Sequence, residues 1–131
     1  MRALVLLTGL FLVAPALAAA DPCTAPLPKP GTRFSGAVRY VGDGDSLCVG
    51  RSGDPATWVE VRLADFYAPE LSAPGGREAK AALEAIARGR AVACRAGRRS
   101  YDRVVAHCSL NGAGLGDLMR SRGVVEGGRG R

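Results

Sequence analysis

The stretch Pro74–Gly89, "PGGREAKAALEAIARG", decides the fold because it forms a single amphipathic helix pattern. Apolar residues recur on one stripe and charged residues stand four apart on another face, as an α-helix requires. The two sets are Ala79, Ala82, Leu83 and Ile86 against Lys80, Glu84 and Arg88. Gly89 predicts the end of the helix, since glycine readily takes the left-handed conformation that terminates helices.

Three strand-like segments precede this helix and two follow it, each showing β-type patterning and bounded by turn residues. They are "RFSGAVRYV" (33–41), "SLCVG" (46–50), "TWVEVRLA" (57–64), "RAVACRA" (90–96) and "DRVVAHCSL" (102–110). A second short helix, "LGDLMRSRG" (115–123), closes the pattern. This order predicts an α+β fold, a five-stranded Greek-key barrel of the OB type with one helix between strands three and four. An open five-stranded sheet with one covering helix is the alternative.

The ends of the chain differ in composition from this central part. Residues 1–20 combine Arg2, an apolar run and a closing Ala-x-Ala pattern, which predicts a cleaved signal peptide and no stable membrane span afterwards. Residues 21–33 are proline-rich and predict an extended lead-in, and residues 124–131 predict a flexible Gly/Arg tail. One domain, 34–123, remains between them. The protein is expected to be periplasmic or secreted, and a monomer.

Four cysteines in a small exported chain predict disulfide bonds, because oxidising compartments favour paired thiols. We favour Cys94 with Cys108, on two strands separated by a turn, and Cys23 with Cys48, over the other connectivities. A zinc site is the rival interpretation. It is weakened because the chain has no Cys-x-x-Cys spacing and a single histidine.

The chain is basic, with a formal net charge of +6. Its arginines gather in "CRAGRRSYDR" (94–103) and at the end of the tail. A basic exported domain suits a polyanionic partner or an anionic surface, although a solvated basic face would carry the same charge.

Three segments resemble signature segments of the staphylococcal-nuclease (thermonuclease) family: "GDGDSL" (42–47), "RLADFYAPE" (62–70) and "SYDRVVAHC" (100–108). They stand in the family's order around the helix, and the similarity covers about Phe34 to Gly123. The resemblance implies an OB-fold nuclease that hydrolyses DNA and RNA with little sequence preference, as an endonuclease.

By this resemblance, Arg62, Glu70 and Arg103 occupy the family's catalytic positions. Glu70 would activate water as a general base, Arg62 would clamp the phosphate, and Arg103 would add positive charge. Arginine suits this task because its planar fork binds two phosphate oxygens and keeps its charge. Tyr101 matches a tyrosine near the substrate phosphate. The alternatives are a surface ion pair of Arg62 with Glu70, and a strand-edge aromatic at Tyr101.

The resemblance also implies a divalent metal, Ca²⁺ above all, held by carboxylates. Asp45 matches a metal-binding aspartate after the first strand, and Asp43 is expected to support the turn. Tyr67 replaces the family's second metal-binding aspartate. The nearest carboxylate, Asp65, is either a displaced ligand or a turn residue. Losing a carboxylate should weaken calcium binding, whose strength follows ligand charge.

Two other functions stay open. Because of Tyr67, the chain could be a degenerate relative that binds nucleic acid without cleaving it. It could also be a small disulfide-linked envelope protein whose basic surface meets a protein or another anionic partner.

Overall fold

The computed structural model describes residues 9, 10, 12 and 21–127. Most of the predicted signal peptide and residues 128–131 of the predicted tail lie outside the described residues. Within the described residues, no helix is long and apolar enough to cross a membrane.

The elements follow the order that the sequence predicts, with small additions. They are β1 (Arg33–Asp43), β2 (Ser46–Gly50), a short 3-10 turn (Pro55–Thr57), β3 (Trp58–Leu63), α1 (Gly76–Ala87), β4 (Ala91–Ser100), β5 (Arg103–Leu110), β6 (Ala113–Gly114) and α2 (Leu115–Ser121). The two-residue strand β6 was not predicted, and β4 runs to Ser100, beyond its predicted end.

Strands β1 to β5 form a closed barrel. The sheet order is β3-β2-β1-β4-β5-β6, and β3 also pairs with β5, which joins the two sides. That closing pair is parallel and sets Val61 against Val104, whereas the other neighbours are antiparallel. This connectivity is OB-fold-like and excludes the open-sheet alternative.

The long strand β1 takes part in both halves of the barrel. Its first part pairs with β4, and its second part pairs with β2. Two register shifts, between Val38 and Tyr40 and between Val41 and Asp43, interrupt the second pairing. Such irregularities bend a strand and increase its twist, which lets one strand curve around the barrel.

The core fills the barrel and the space beneath α1. The predicted helical stripe packs on the core: Ala79 and Leu83 are fully inaccessible, Ile86 is buried, and Ala82 is partly buried. The largest fully buried side chains are Phe66, Leu47, Leu63, Leu83, Leu115 and Met119. α1 packs beside β1, and α2 packs against α1 and β5.

Both predicted disulfide bonds are present. Cys94–Cys108 links facing residues of β4 and β5, and Cys23–Cys48 attaches the N-terminal lead-in to β2. Each is worth about 3 kcal/mol if it acts by restricting the unfolded chain. Two disulfides are compatible with an extracellular or periplasmic protein.

The two segments that flank the barrel are bonded to it. In the lead-in, the backbone N–H groups of Thr24 and Ala25 donate to Pro55 and Trp58 at 3.1 and 3.0 Å. In the tail, the N–H of Gly127 donates to the Tyr67 carbonyl at 3.0 Å. In the described part of the predicted tail, residues 124–127, Glu126 and Gly127 thus both contact the Tyr67 backbone.

Candidate active site

Five of the residues singled out in the sequence line one small cavity of about 90 Å³. We call this cavity the candidate pocket. Its lining residues are Asp43, Asp45, Arg62, Ala68, Pro69, Glu70 and Arg103. All seven come from the three segments that resemble the nuclease family, 42–47, 62–70 and 100–108, which are separated in the sequence. The barrel thus brings the predicted general base, the two predicted arginines and the two aspartates of the first turn together.

The turn between β1 and β2 places two carboxylates at the candidate pocket. The Asp43 side chain accepts a hydrogen bond from the Asp45 N–H at 3.0 Å, which confirms its predicted role in the turn. Asp45 is only 5% exposed, and its Oδ2 accepts from the Ala68 N–H at 3.0 Å. A Cβ at Gly44 would lie 2.6 Å from that of Ala79 and 2.7 Å from that of Ala68. Glycine is therefore required for the turn to sit this close to α1.

Burial and neighbouring groups act in opposite directions on Asp43. Burial alone would raise the pKa of its carboxyl group. Hydrogen bonds with Asp45 and Ser46 and the charge of Arg103 outweigh that effect, so the pKa lies below the ordinary 3.8. Asp43 is accordingly ionised at neutral pH and contributes negative charge to the pocket.

Arg62 and Glu70 enter the candidate pocket from one segment. Arg62 lies near the end of β3, and the chain then turns so that Pro69 and Glu70 reach the same cavity. The Arg62 Nε is buried and has no hydrogen-bond partner among the described residues. Glu70 is exposed, and the described residues show no ion pair between it and either pocket arginine. The surface ion-pair alternative therefore does not describe this geometry.

Arg103 begins β5 and lies beside a second group of carboxylates that the sequence interpretation missed. Asp21 in the lead-in and Glu60 on β3 are hydrogen-bonded to each other, and the positive charge of Arg103 acts to lower the pKa of both. Burial, then the charges of Asp102 and Asp21, raises the pKa of Glu60 to about 7. Glu60 and Arg62 stand two residues apart on one strand, which predicts that their side chains share a face of the sheet. No local pattern predicts that Asp21 joins them.

This raised pKa predicts that the stabilising contribution of Glu60 is lost as pH rises from about 4.5 to about 7. The folded protein then holds a proton that the unfolded chain has released, so unfolding becomes easier with rising pH. Glu60→Gln removes this titration. We expect the thermal midpoint of the variant minus that of the wild type to increase as the pH rises through that interval. Glu78→Gln, at an exposed helix position, is the control, and a constant difference for Glu60→Gln would contradict the prediction.

Asp65 does not reach the candidate pocket. Its Oδ2 accepts a hydrogen bond from the Gly116 N–H at 3.1 Å, and its carbonyl accepts from Arg120 at 2.6 Å. Gly116 fits because a Cβ there would collide with the Asp65 carboxyl group. Asp65 thus lies in a bend after β3 and connects that bend to α2, and it is not a displaced ligand beside Asp45.

Tyr67 and Tyr101 both lie outside the candidate pocket. The Tyr67 N–H donates to a Glu126 carboxylate oxygen at 3.0 Å, and its side chain is 37% exposed. Tyr101 is 89% exposed in the hairpin turn between β4 and β5, in the left-handed region with φ of 57°. The structure thus places Tyr101 two residues from Arg103, at the tip of a hairpin.

The carboxylates that could hold a divalent metal at the candidate pocket are Asp43 and Asp45. One oxygen of each already accepts a backbone hydrogen bond. In the part of the chain that the structure describes, no group of three or more histidine, cysteine, aspartate or glutamate side chains is arranged to bind a metal. This donor set fits only weak binding of a hard cation, with other ligands supplied by water or substrate oxygens.

Comparisons with known proteins add no family assignment. No family model matches this chain, and a search of curated proteins finds no match.

Proposed function

We propose that the protein is an exported, metal-dependent nuclease of the staphylococcal-nuclease type. It would hydrolyse phosphodiester bonds of DNA and RNA with low sequence specificity, in the periplasm or outside the cell. The observation that carries the proposal is the convergence of Arg62, Glu70 and Arg103 with two aspartates around one small cavity. A surface ion pair or an ordinary turn would not require residues from three separate segments to meet.

Glu70 is the general base of the proposed reaction. It is exposed at the mouth of the pocket, where water has access, and the described residues show no cation within ion-pair distance of it. Its carboxylate takes a proton from a water molecule while the water oxygen forms a bond to phosphorus. The bond from phosphorus to the leaving oxygen breaks, that oxygen takes up a proton from solvent water, and Glu70 releases its proton to solvent. The products are a phosphomonoester and an alcohol.

Arg62 and Arg103 stabilise the negative charge that grows on the phosphate oxygens. The buried Arg62 Nε has no acceptor in the described part of the chain and is a donor that a phosphate oxygen would satisfy. Donors held in place before the reaction contribute most to such transition states, because they need no reorganisation. Asp43 and Asp45 would hold a divalent ion, which supplies further neutralisation of the phosphate charge when bound.

A binding protein without activity is the second candidate. It is favoured by Tyr67, which removes a carboxylate that the resemblance implies, and by the diversion of Asp65 to α2. A weaker metal site lowers the activity of a nuclease, whereas a barrel that only binds strands needs no metal.

Degradation of nucleic acid by the purified, disulfide-bonded protein separates these candidates. We expect plasmid, single-stranded DNA and RNA all to be degraded with added Ca²⁺ or another divalent ion, and degradation to stop with a chelator. An electrophoretic mobility shift without degradation, under every metal condition, would support the binding protein. If the protein neither degrades nucleic acid nor shifts its mobility, both candidates are contradicted.

A further inference from the structure

A second basic surface lies on the outer wall of the barrel, apart from the candidate pocket. We call it the basic wall and define it by Arg33, Arg51, Arg95 and His107. Arg33 on β1 stands directly opposite Arg95 on β4, and Arg95 stands directly opposite His107 on β5. These side chains border an open cavity of about 610 Å³. All four are exposed.

Among the residues that the structure describes, the basic wall has no acidic partner. The residues that line its cavity include no aspartate or glutamate, and the described residues show no ion pair from any of its members. Like charges placed directly opposite each other on neighbouring strands destabilise a sheet. Facing arginines therefore weaken the free protein, and an anion between them would remove that penalty.

A further hollow and the outer face of β5 lie between the basic wall and the candidate pocket. A hollow of about 340 Å³ shares Arg95 and His107 with the wall and is also lined by Val105. Val105 stands next to Arg62 in the parallel β3–β5 pair. Arg103, Val105 and His107 fall on one face of β5 because side chains alternate along a strand. From Arg103 to His107 the distance along the strand is about 13 Å.

We propose that the basic wall binds the phosphate backbone of the same nucleic-acid strand whose scissile phosphate enters the candidate pocket. This inference rests on the proposed function and adds a second contact region for the substrate. The wall borders a cavity that Ser35 and Ser109 also line beside the arginines, which suits a strand of phosphates. An anionic lipid surface is the competing occupant, and the test includes it.

The test measures binding in the Glu70→Gln background, so that the nucleic acid is not degraded. The wall variant carries Arg33→Gln and Arg95→Gln. The control carries Arg88→Gln and Arg90→Gln, which remove the same charge from exposed positions outside the wall cavity. Fluorescence anisotropy with single-stranded DNA of four and sixteen nucleotides gives the dissociation constants over a range of salt concentrations.

We expect the wall variant to bind the longer strand roughly tenfold more weakly than the control, with a smaller difference for the shorter strand. The slope of log affinity against log salt should be smaller by about 1.4, from two lost phosphate contacts. The thermal midpoint of the wall variant should not fall below that of the parent, because facing like charges have been removed.

Equal affinities for the wall variant and the control at both strand lengths would overturn the inference. So would an unchanged affinity for DNA combined with lost binding to phosphatidylglycerol vesicles, which would assign the wall to a lipid surface. The failure of the proposed function looks different. In that case the wild-type protein does not cleave nucleic acid, whereas the difference between the wall variant and the control can still be measured.

Discussion

The Glu70→Gln variant is expected to cleave nucleic acid about 100- to 10,000-fold more slowly than the wild type, because the amide cannot take the proton of the attacking water. Glutamine keeps the size and shape of the side chain, and Glu70 is exposed, so folding should not change. The measurement is kcat on a single-stranded oligonucleotide at saturating metal. The dissociation constant for the same oligonucleotide should stay close to that of the wild type.

Glu78→Gln is the matched control for this experiment. Glu78 is an exposed glutamate in the first turn of α1 and does not line the candidate pocket. Its replacement removes the same charge and should leave kcat within about twofold of the wild type, as surface substitutions usually do. A Glu70→Gln variant that cleaves as fast as this control would show that another group activates water, and the assignment of the pocket would have to be abandoned.

Replacing Arg62 with lysine is expected to lower kcat by about 100- to 1000-fold, although the positive charge is kept. Lysine presents a single ammonium group and lacks the planar fork that binds two phosphate oxygens. The substitution also removes the buried Nε donor that has no partner among the described residues. The measurement is kcat for the variant and for Arg88→Lys, which makes the same exchange at an exposed position outside the candidate pocket.

Chemical rescue gives the Arg62 prediction a second readout. In Arg62→Ala, free guanidinium ion can enter the space that the side chain leaves and restore part of the rate. Rescue should be greater for guanidinium than for ammonium at equal concentration, because only the former offers the paired donors. Equal activity of Arg62→Lys and wild type would mean that charge alone is sufficient, and the clamp would be wrong.

The fold was predictable to the extent that its elements are encoded locally. The α1 stripe of Ala79, Leu83 and Ile86 has helical spacing, and it is buried as the pattern requires. The extension of β4 to Ser100 was not predictable in this way, because "GRRS" is charged and contains glycine. Pairing with β5 across a register shift between Ala96 and Arg99 determines that extension. Strand pairing of this kind overrides local preference.

In the candidate site, too, features within one segment were predictable and features that depend on long-range contacts were not. Arg62 and Glu70 belong to one segment, and the resemblance of that segment to the nuclease family predicted a shared site for them. Asp65 was ambiguous because its partner, the Gly116 N–H, is 51 positions away in the sequence. The approach of Asp21 to Glu60 depends on how the lead-in lies on the barrel, which the Cys23–Cys48 bond helps to fix. No local pattern contains these long-range contacts.

The parallel contact between β3 and β5 has a consequence for how the molecule matures. Loop closure between distant segments is entropically costly, so such contacts form slowly. Arg62 and Arg103 lie on the two strands of this contact, at or next to the paired residues. A nascent chain that has not yet produced β5 cannot assemble the pair, whatever else it has folded. The nuclease activity proposed above would therefore require this pairing, and a chain truncated before β5 would lack it.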